Sequence, residues 1–153
     1  MLELDGLVAV LNGLRGVMGS TPTVVELLTK ADLLSKYPLP ARIEEFVTSP
    51  THHKLRICIR YRDCSLILEK RADGVELNLS THPLRSVDEN ARLDRLMGER
   101  GVHPTTDYLS GSGRTRILHY RLPAVAQSIA DLCGEILAGV YQVEAADEVL
   151  ICQ

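Results

Sequence analysis

The chain has 153 residues, 45% of them hydrophobic and 24% charged, with a formal net charge of −3. That is ordinary composition for one soluble globular domain able to bury a core, and it argues against a nucleic-acid binder, which carries a strongly basic face. Aromatic residues make up 4%, with no Trp and one Phe, which leaves few platforms for stacking single strands.

The N-terminus, MLELDGLVAVLNGL, carries Glu3 and Asp5 where a signal peptide would carry Lys or Arg. No apolar run approaches the roughly 20 residues of a spanning helix. The sequence therefore predicts a cytoplasmic protein with no membrane contact. It divides into an N-terminal helical segment, residues 1–48, and an α+β core, residues 54–152, within a single domain spanning 1–153.

Leu4, Leu7, Val8, Leu11 and Leu14 follow a 3.6-residue period that stops near Gly16 and Gly19. A second helix is predicted after Thr21 as cap and Pro22 in the first turn. Its face is Val24, Leu27, Leu28, Ala31 and Leu34, and Pro38 ends it. A short third piece, PARIEEFV, opens on Pro40, and TSPTHH is a linker.

From residue 54 the period becomes two. Leu55, Ile57, Ile59 and Tyr61 alternate with Arg56, Cys58 and Arg60, and two further runs carry Leu66 and Leu68, then Val75, Leu77 and Leu79. Asp73-Gly74 is a strong hairpin signal. A turn there sets Leu68 opposite Leu79. A turn at Arg62-Asp63 sets Leu66 opposite Ile59 and Leu68 opposite Ile57, with Arg56 facing Glu69. The expected product is a three-stranded antiparallel meander with Ile57, Ile59, Leu66, Leu68, Leu77 and Leu79 on one buried face.

SVDENARLDRLMGERG reads as a helix with a Ser86/Glu89 capping box. Leu93, Leu96 and Met97 form its buried stripe, and Gly98 or Gly101 ends it. TRILHYRL alternates again, with Thr115, Ile117, His119 and Arg121 on one face and Arg116, Leu118, Tyr120 and Leu122 on the other. Because both faces carry apolar residues, the inner one is left open. Pro123 starts a long helix to Tyr141, and DEVLIC reads as a short last strand. The predicted class is α+β: an antiparallel sheet, the meander plus later strands, with helices packed on one face.

Few residues point to chemistry. Gly111-Ser112-Gly113-Arg114 could cradle a phosphate, but such loops follow a strand and open a helix. Here the glycines precede a strand, so a flexible helix-to-strand connection is expected. His52 and His53 lie in the linker, His82 and His103 precede prolines, and His119 faces the core or a groove. No His pair has the four-residue helical spacing of a metalloprotease. Cys58, Cys64, Cys133 and Cys152 lack C-x-x-C spacing and read as reduced, mostly buried thiols. A Cys58–Cys64 bridge, or a metal site using His52 and His53, is the alternative. No G-x-S-x-G is present. Lys54, Arg56, Arg60, Arg62, Lys70 and Arg71 cluster on the meander, as a solvated face or as a surface for an acidic partner.

The meander ending in GVELNLST, a helix closing on Leu-x-x-Leu-Met-Gly at 93 to 98, a strand ending LHYRLP, a long helix and then GVYQV and DEVLI form a pattern. Over residues 54 to 152 it resembles the YbjN and type III secretion chaperone-like superfamily of small bacterial peptide-binding domains. Many of its members have Gly-Trp or Gly-Phe after the first of these helices, where this chain has Gly98-Glu99-Arg100. The helical front here, about 50 residues, is also longer than the leading helix of the secretion chaperones.

The resemblance implies a type III secretion chaperone-like fold and a non-enzymatic role, binding extended or partly folded protein segments, often as a homodimer. It implies no catalytic, cofactor-binding or metal residues. The expected function is thus a chaperone-like accessory domain acting through an exposed sheet or groove, with the VELNLS and TRILHYRL strands as its surface. The alternative is a small regulatory protein that binds one folded partner through its N-terminal helices. A third reading is an enzyme whose pocket residues lie far apart in sequence. The helix after Pro123 carries apolar residues beyond one stripe, namely Val125, Ala126, Ile129, Ala130, Leu132, Cys133, Ile136, Leu137 and Val140. That surplus favours a homodimer with the helices near its axis.

Overall fold

The computed structural model describes residues 25–28, 39–83 and 86–152, the first stretch as backbone only. The fold is α+β. In chain order the elements are strand β1 (Val25–Leu28), helix α1 (Leu39–Thr48), strands β2 (Lys54–Ile59), β3 (Ser65–Arg71) and β4 (Gly74–Thr81), and helix α2 (Val87–Glu99). Strands β5 (Pro104–Ser110) and β6 (Thr115–Leu122), helix α3 (Ala126–Glu135) and strand β7 (Val149–Cys152) complete it. One seven-stranded sheet runs β1-β7-β2-β3-β4-β6-β5, antiparallel throughout.

Side chains alternate across a strand, so a single parity carries the core. Leu55, Ile57 and Ile59 of β2, Leu66 and Leu68 of β3, and Val75, Leu77 and Leu79 of β4 are buried. The row continues through Leu118, Tyr120 and Leu122 of β6 and Val149 and Ile151 of β7. The helices add Leu39, Ile43 and Phe46 from α1, Leu93 and Met97 from α2, and Ile129, Leu132 and Cys133 from α3 to the same cluster, so they cover that one face. The other face holds the half-exposed Cys58, Ile67, Glu76, Asn78, Ile117 and His119.

The meander forms with the expected inner face, but both hairpins are shifted by two residues. Ile57 pairs with Leu66 and Leu55 with Leu68, while Leu66 pairs with Leu79 and Leu68 with Leu77. Lys54, not Arg56, stands opposite Glu69, and Arg56 stands opposite Ile67. A shift of two preserves parity, so every apolar residue still points inward. The second turn uses Ala72 and Asp73, with Arg71 opposite Gly74. Gly74 has φ +155°, and a Cβ there would lie 2.4 Å from the Leu122 carbonyl oxygen. Only a residue without a side chain lets β6 approach so closely.

Three other expectations change. The helix predicted after Thr21 does not hold at Val25–Leu28, which pairs antiparallel with β7; the remainder of that helix, and the first helix at Leu4–Leu14, lie outside the described residues. The Ser86 side chain makes no capping bond, so the capping box is not built. At its other end α2 stops as expected at the second of the two glycines, Gly101, where φ is +67° and Val102 N–H donates to the Met97 carbonyl at 2.9 Å. Finally, β5 is a strand where a loop was expected, so Gly111–Arg114 turns one strand into the next.

The long helix after Pro123 is α3 followed by a π-helical turn at Ile136–Val140. Arg92 of α2 secures that turn, donating from Nε at 3.1 Å and Nη2 at 2.8 Å to the Val140 carbonyl. Ile129, Ala130, Leu132, Cys133, Ile136, Leu137 and Val140 are all buried within the one chain, and only Val125, at 51%, is substantially exposed. The apolar surplus that favoured a second copy is therefore largely covered by the chain itself.

Candidate binding surface

The inner positions of β4 and β6 remove them as a candidate edge. They pair with each other from Val75↔Leu122 to Thr81↔Arg116, and β5 covers the outer side of β6. Among the described residues no strand pairs with the outer side of β5, which ends the sheet. Its residues are exposed or half-exposed along the whole length, with Tyr108 at 50% and Leu109 at 60%. Along such an edge, alternate residues direct N–H and C=O groups away from the sheet. Pro104 and the irregularity between Pro104 and Thr106 blunt the start of the strand, leaving Thr106–Ser110 as regular backbone.

Sequence reasoning missed this strand for a physical reason. Neither face of PTTDYLS is buried, so it has no apolar alternation to read. The available signal was indirect: Gly111 and Gly113, at φ +59° and +77°, are the left-handed positions that a hairpin connection into TRILHYRL requires. Gly113 N–H donates to the Ser110 carbonyl at 3.1 Å. No helix follows these glycines, so no helix dipole backs the turn as an anion site.

Beside β5, on the helix-covered side, lies an open groove of about 580 Å³ lined by Pro83, Asn90, Asp94, Asp107, Tyr108, Leu109 and Arg116. Arg116 organises it. Its parity places it at the end of the buried row, opposite Thr81. Its guanidinium donates to both Asp107 carboxylate oxygens at 2.8 Å, to Asp94 Oδ1 at 2.9 Å and to Asn90 Oδ1 at 2.8 Å. Thr81 Oγ1 donates to the same Asn90 oxygen at 2.8 Å. One side chain thus ties α2 to β5 and β6. The hydrogen bonds from Arg116 hold the Asp107 carboxyl below its usual range, and Arg116 is itself pushed up by Asp107 and Asp94.

The remaining sequence candidates scatter. His82 Nε2 lies 3.2 Å from Asp63. His119 Nδ1 lies 3.9 Å from Glu76, on the open face rather than in the core. His103 is exposed, and His52 and His53 stay in the linker. The four cysteines form no disulfide and are spread over β2, the β2–β3 connection, α3 and β7. Burial pushes the Cys133 thiol up to about 12 and also raises Cys58 and Cys152. No group of three or more His, Cys, Asp or Glu among the described residues is placed to hold a metal ion.

The basic cluster of the meander resolves into separate pairs. Arg60 meets Glu148 at 2.7 Å, Arg62 meets Asp147 at 3.4 Å, and Arg71 bridges Glu69 at 3.2 Å and Glu76 at 3.1 Å. Lys54 lies 3.9 Å from Glu69, and Lys70 Nζ donates to the Ser49 carbonyl. Arg56 is exposed opposite Cys152. Most of this charge is neutralised in place, which leaves little for an acidic partner.

No described helix is long and apolar enough to cross a membrane. No protein-family model matches the sequence, and neither a curated protein nor a solved structure matches the chain. The fold and the surface together define an α+β domain whose sheet, among the described residues, ends on one side in the exposed strand β5.

Proposed function

We propose that the chain is a non-enzymatic, chaperone-like protein-binding domain that takes up an extended segment of a partner as an added strand beside β5. The observation that carries this reading is the β5 edge: regular over Thr106–Ser110, exposed, and bearing two apolar side chains, Tyr108 and Leu109, on opposite faces. Main-chain bonds along such an edge supply affinity for any extended chain, and the alternating side chains supply selectivity. The resemblance to the secretion chaperone-like superfamily leans the same way, since its members capture extended segments. The competing interface on the N-terminal helices rests mainly on residues outside those described.

The test is a panel of extended eight-residue peptides measured by fluorescence anisotropy against the full chain and against Leu109→Glu. This exposed position tolerates charge, so the fold is retained. Micromolar to submillimolar binding that weakens in Leu109→Glu supports the proposal. Absence of binding at millimolar peptide, or binding indifferent to Leu109→Glu, refutes it.

A further inference from the structure

The groove beside β5 carries more acid than base at its mouth. The Asp94 and Asp107 side chains are 51% and 37% exposed, whereas Arg116, which both of them hold, is only 16% exposed. Two carboxylates therefore face solvent with one guanidinium set behind them. Asp107 and Leu109 are two residues apart, opposite Leu118 and Arg116 of β6, and so share the helix-side face of β5. Tyr108 faces the other way.

These placements constrain any strand laid along β5. Its side chains alternate as well, so the two that face Asp107 and Leu109 are also two residues apart. One enters the groove between Asp107 and Asp94, and the other lies on Leu109. We infer that the segment received by β5 carries a Lys or Arg and an apolar residue separated by one position, the cation entering the groove at Asp94 and Asp107. This rests on the proposed binding of a partner strand at β5 and adds its chemistry: a basic–apolar extended segment. A cation there approaches two half-exposed carboxylates, while an acidic residue meets the same two groups with repulsion, as like charges across a strand pair do.

The probe is a set of three eight-residue peptides of alternating Thr and Val, identical except that one central Val is kept, replaced by Lys, or replaced by Glu. Binding to the full chain is measured by anisotropy at low and high salt. The expected order is Lys, then Val, then Glu, with roughly three- to tenfold between the extremes, as opposed versus like cross-strand charges give. The spread narrows at 1 M salt, where the screening length is about 3 Å. In Asp94→Asn, which keeps an oxygen acceptor for Arg116 and leaves Asp107 in place, the preference for Lys over Glu shrinks while the Val peptide binds as before. Equal binding of the three peptides overturns the inference and leaves the β5 reading standing; failure of all three to bind overturns both. A Lys preference unchanged in Asp94→Asn and in Asp107→Asn places the cation elsewhere and overturns the inference. So does a concentration-dependent dimer that the peptides do not dissociate and that Leu109→Glu abolishes, because a second copy then occupies the edge.

Discussion

Replacing Gly74 by Ala adds one methyl group at the most crowded glycine described. The position sits at φ +155°, outside the range of L residues, and strain of this kind costs about 1–3 kcal/mol. The new Cβ would stand 2.4 Å from the Leu122 carbonyl oxygen, which is backbone of an inner strand and cannot swing aside. Overpacking of a fixed neighbour adds about 1–3 kcal/mol. The expected loss is therefore about 2–6 kcal/mol, read from urea midpoints at unchanged slope. Gly98→Ala is the natural control. Gly98 lies on the exposed side of α2 with nothing within 4 Å of its missing Cβ, so the same methyl group should stabilise the helix by up to about 1 kcal/mol. Two identical substitutions thus have opposite signs. A Gly74→Ala variant as stable as the parent, or a Gly98→Ala variant equally damaged, would refute the packing of β6 against the β3–β4 turn.

Ile57→Ala should cost about 2–5 kcal/mol, because Ile57 is fully buried, whereas exposed Arg56→Ala should cost under about 1 kcal/mol; equal losses in denaturant unfolding would contradict the one-sided core. The folded pKa values of Asp107 and Glu76 are depressed by Arg116 and Arg71, so their contribution is complete above the unfolded carboxylate values and is lost as pH falls through the folded ones. Stability should accordingly drop below about pH 4, less steeply in Asp107→Asn, and the half-exposed Asp107 accounts for under about 1 kcal/mol of the drop. An acid limb unaltered by Asp107→Asn would argue against the Arg116 cluster. In thiol labelling of the native protein, Cys133, buried and with its pKa pushed up to about 12, should remain unmodified until unfolding, whereas half-exposed Cys64 reacts. Rapid native labelling of Cys133 would show that α3 does not pack as described.

Much of the sheet was legible because burial writes itself into alternation. Strands β2, β3 and β4 each bury one parity, and the sequence carries that parity directly. Register was less legible: Leu66 opposite Ile57 and Leu66 opposite Ile59 are equally good apolar matches, and the choice rests on which residues turn the corner. At Val25–Leu28 a 3.6-residue pattern suggested a helix, yet the segment pairs with β7, a tertiary contact that local periodicity does not encode. The inner face of β6 was ambiguous because Ile117 and Leu118 are both apolar; its neighbours Leu77 and Leu79 on β4 decide it. The candidate surface was the least legible part. An edge strand exposed on both faces has no hydrophobic signature, and Arg116 meets Asp94 and Asp107 across two different elements.

The central claim is that β5 accepts a strand, and amide hydrogen exchange with and without a saturating extended peptide tests it most directly. Alternate amides within Thr106–Ser110, free on the outer side of the sheet, should exchange markedly more slowly in the complex, while amides of β7 and α3 keep their rates. Protection confined to the helices, or β5 amides that exchange equally fast in both states, would contradict the account.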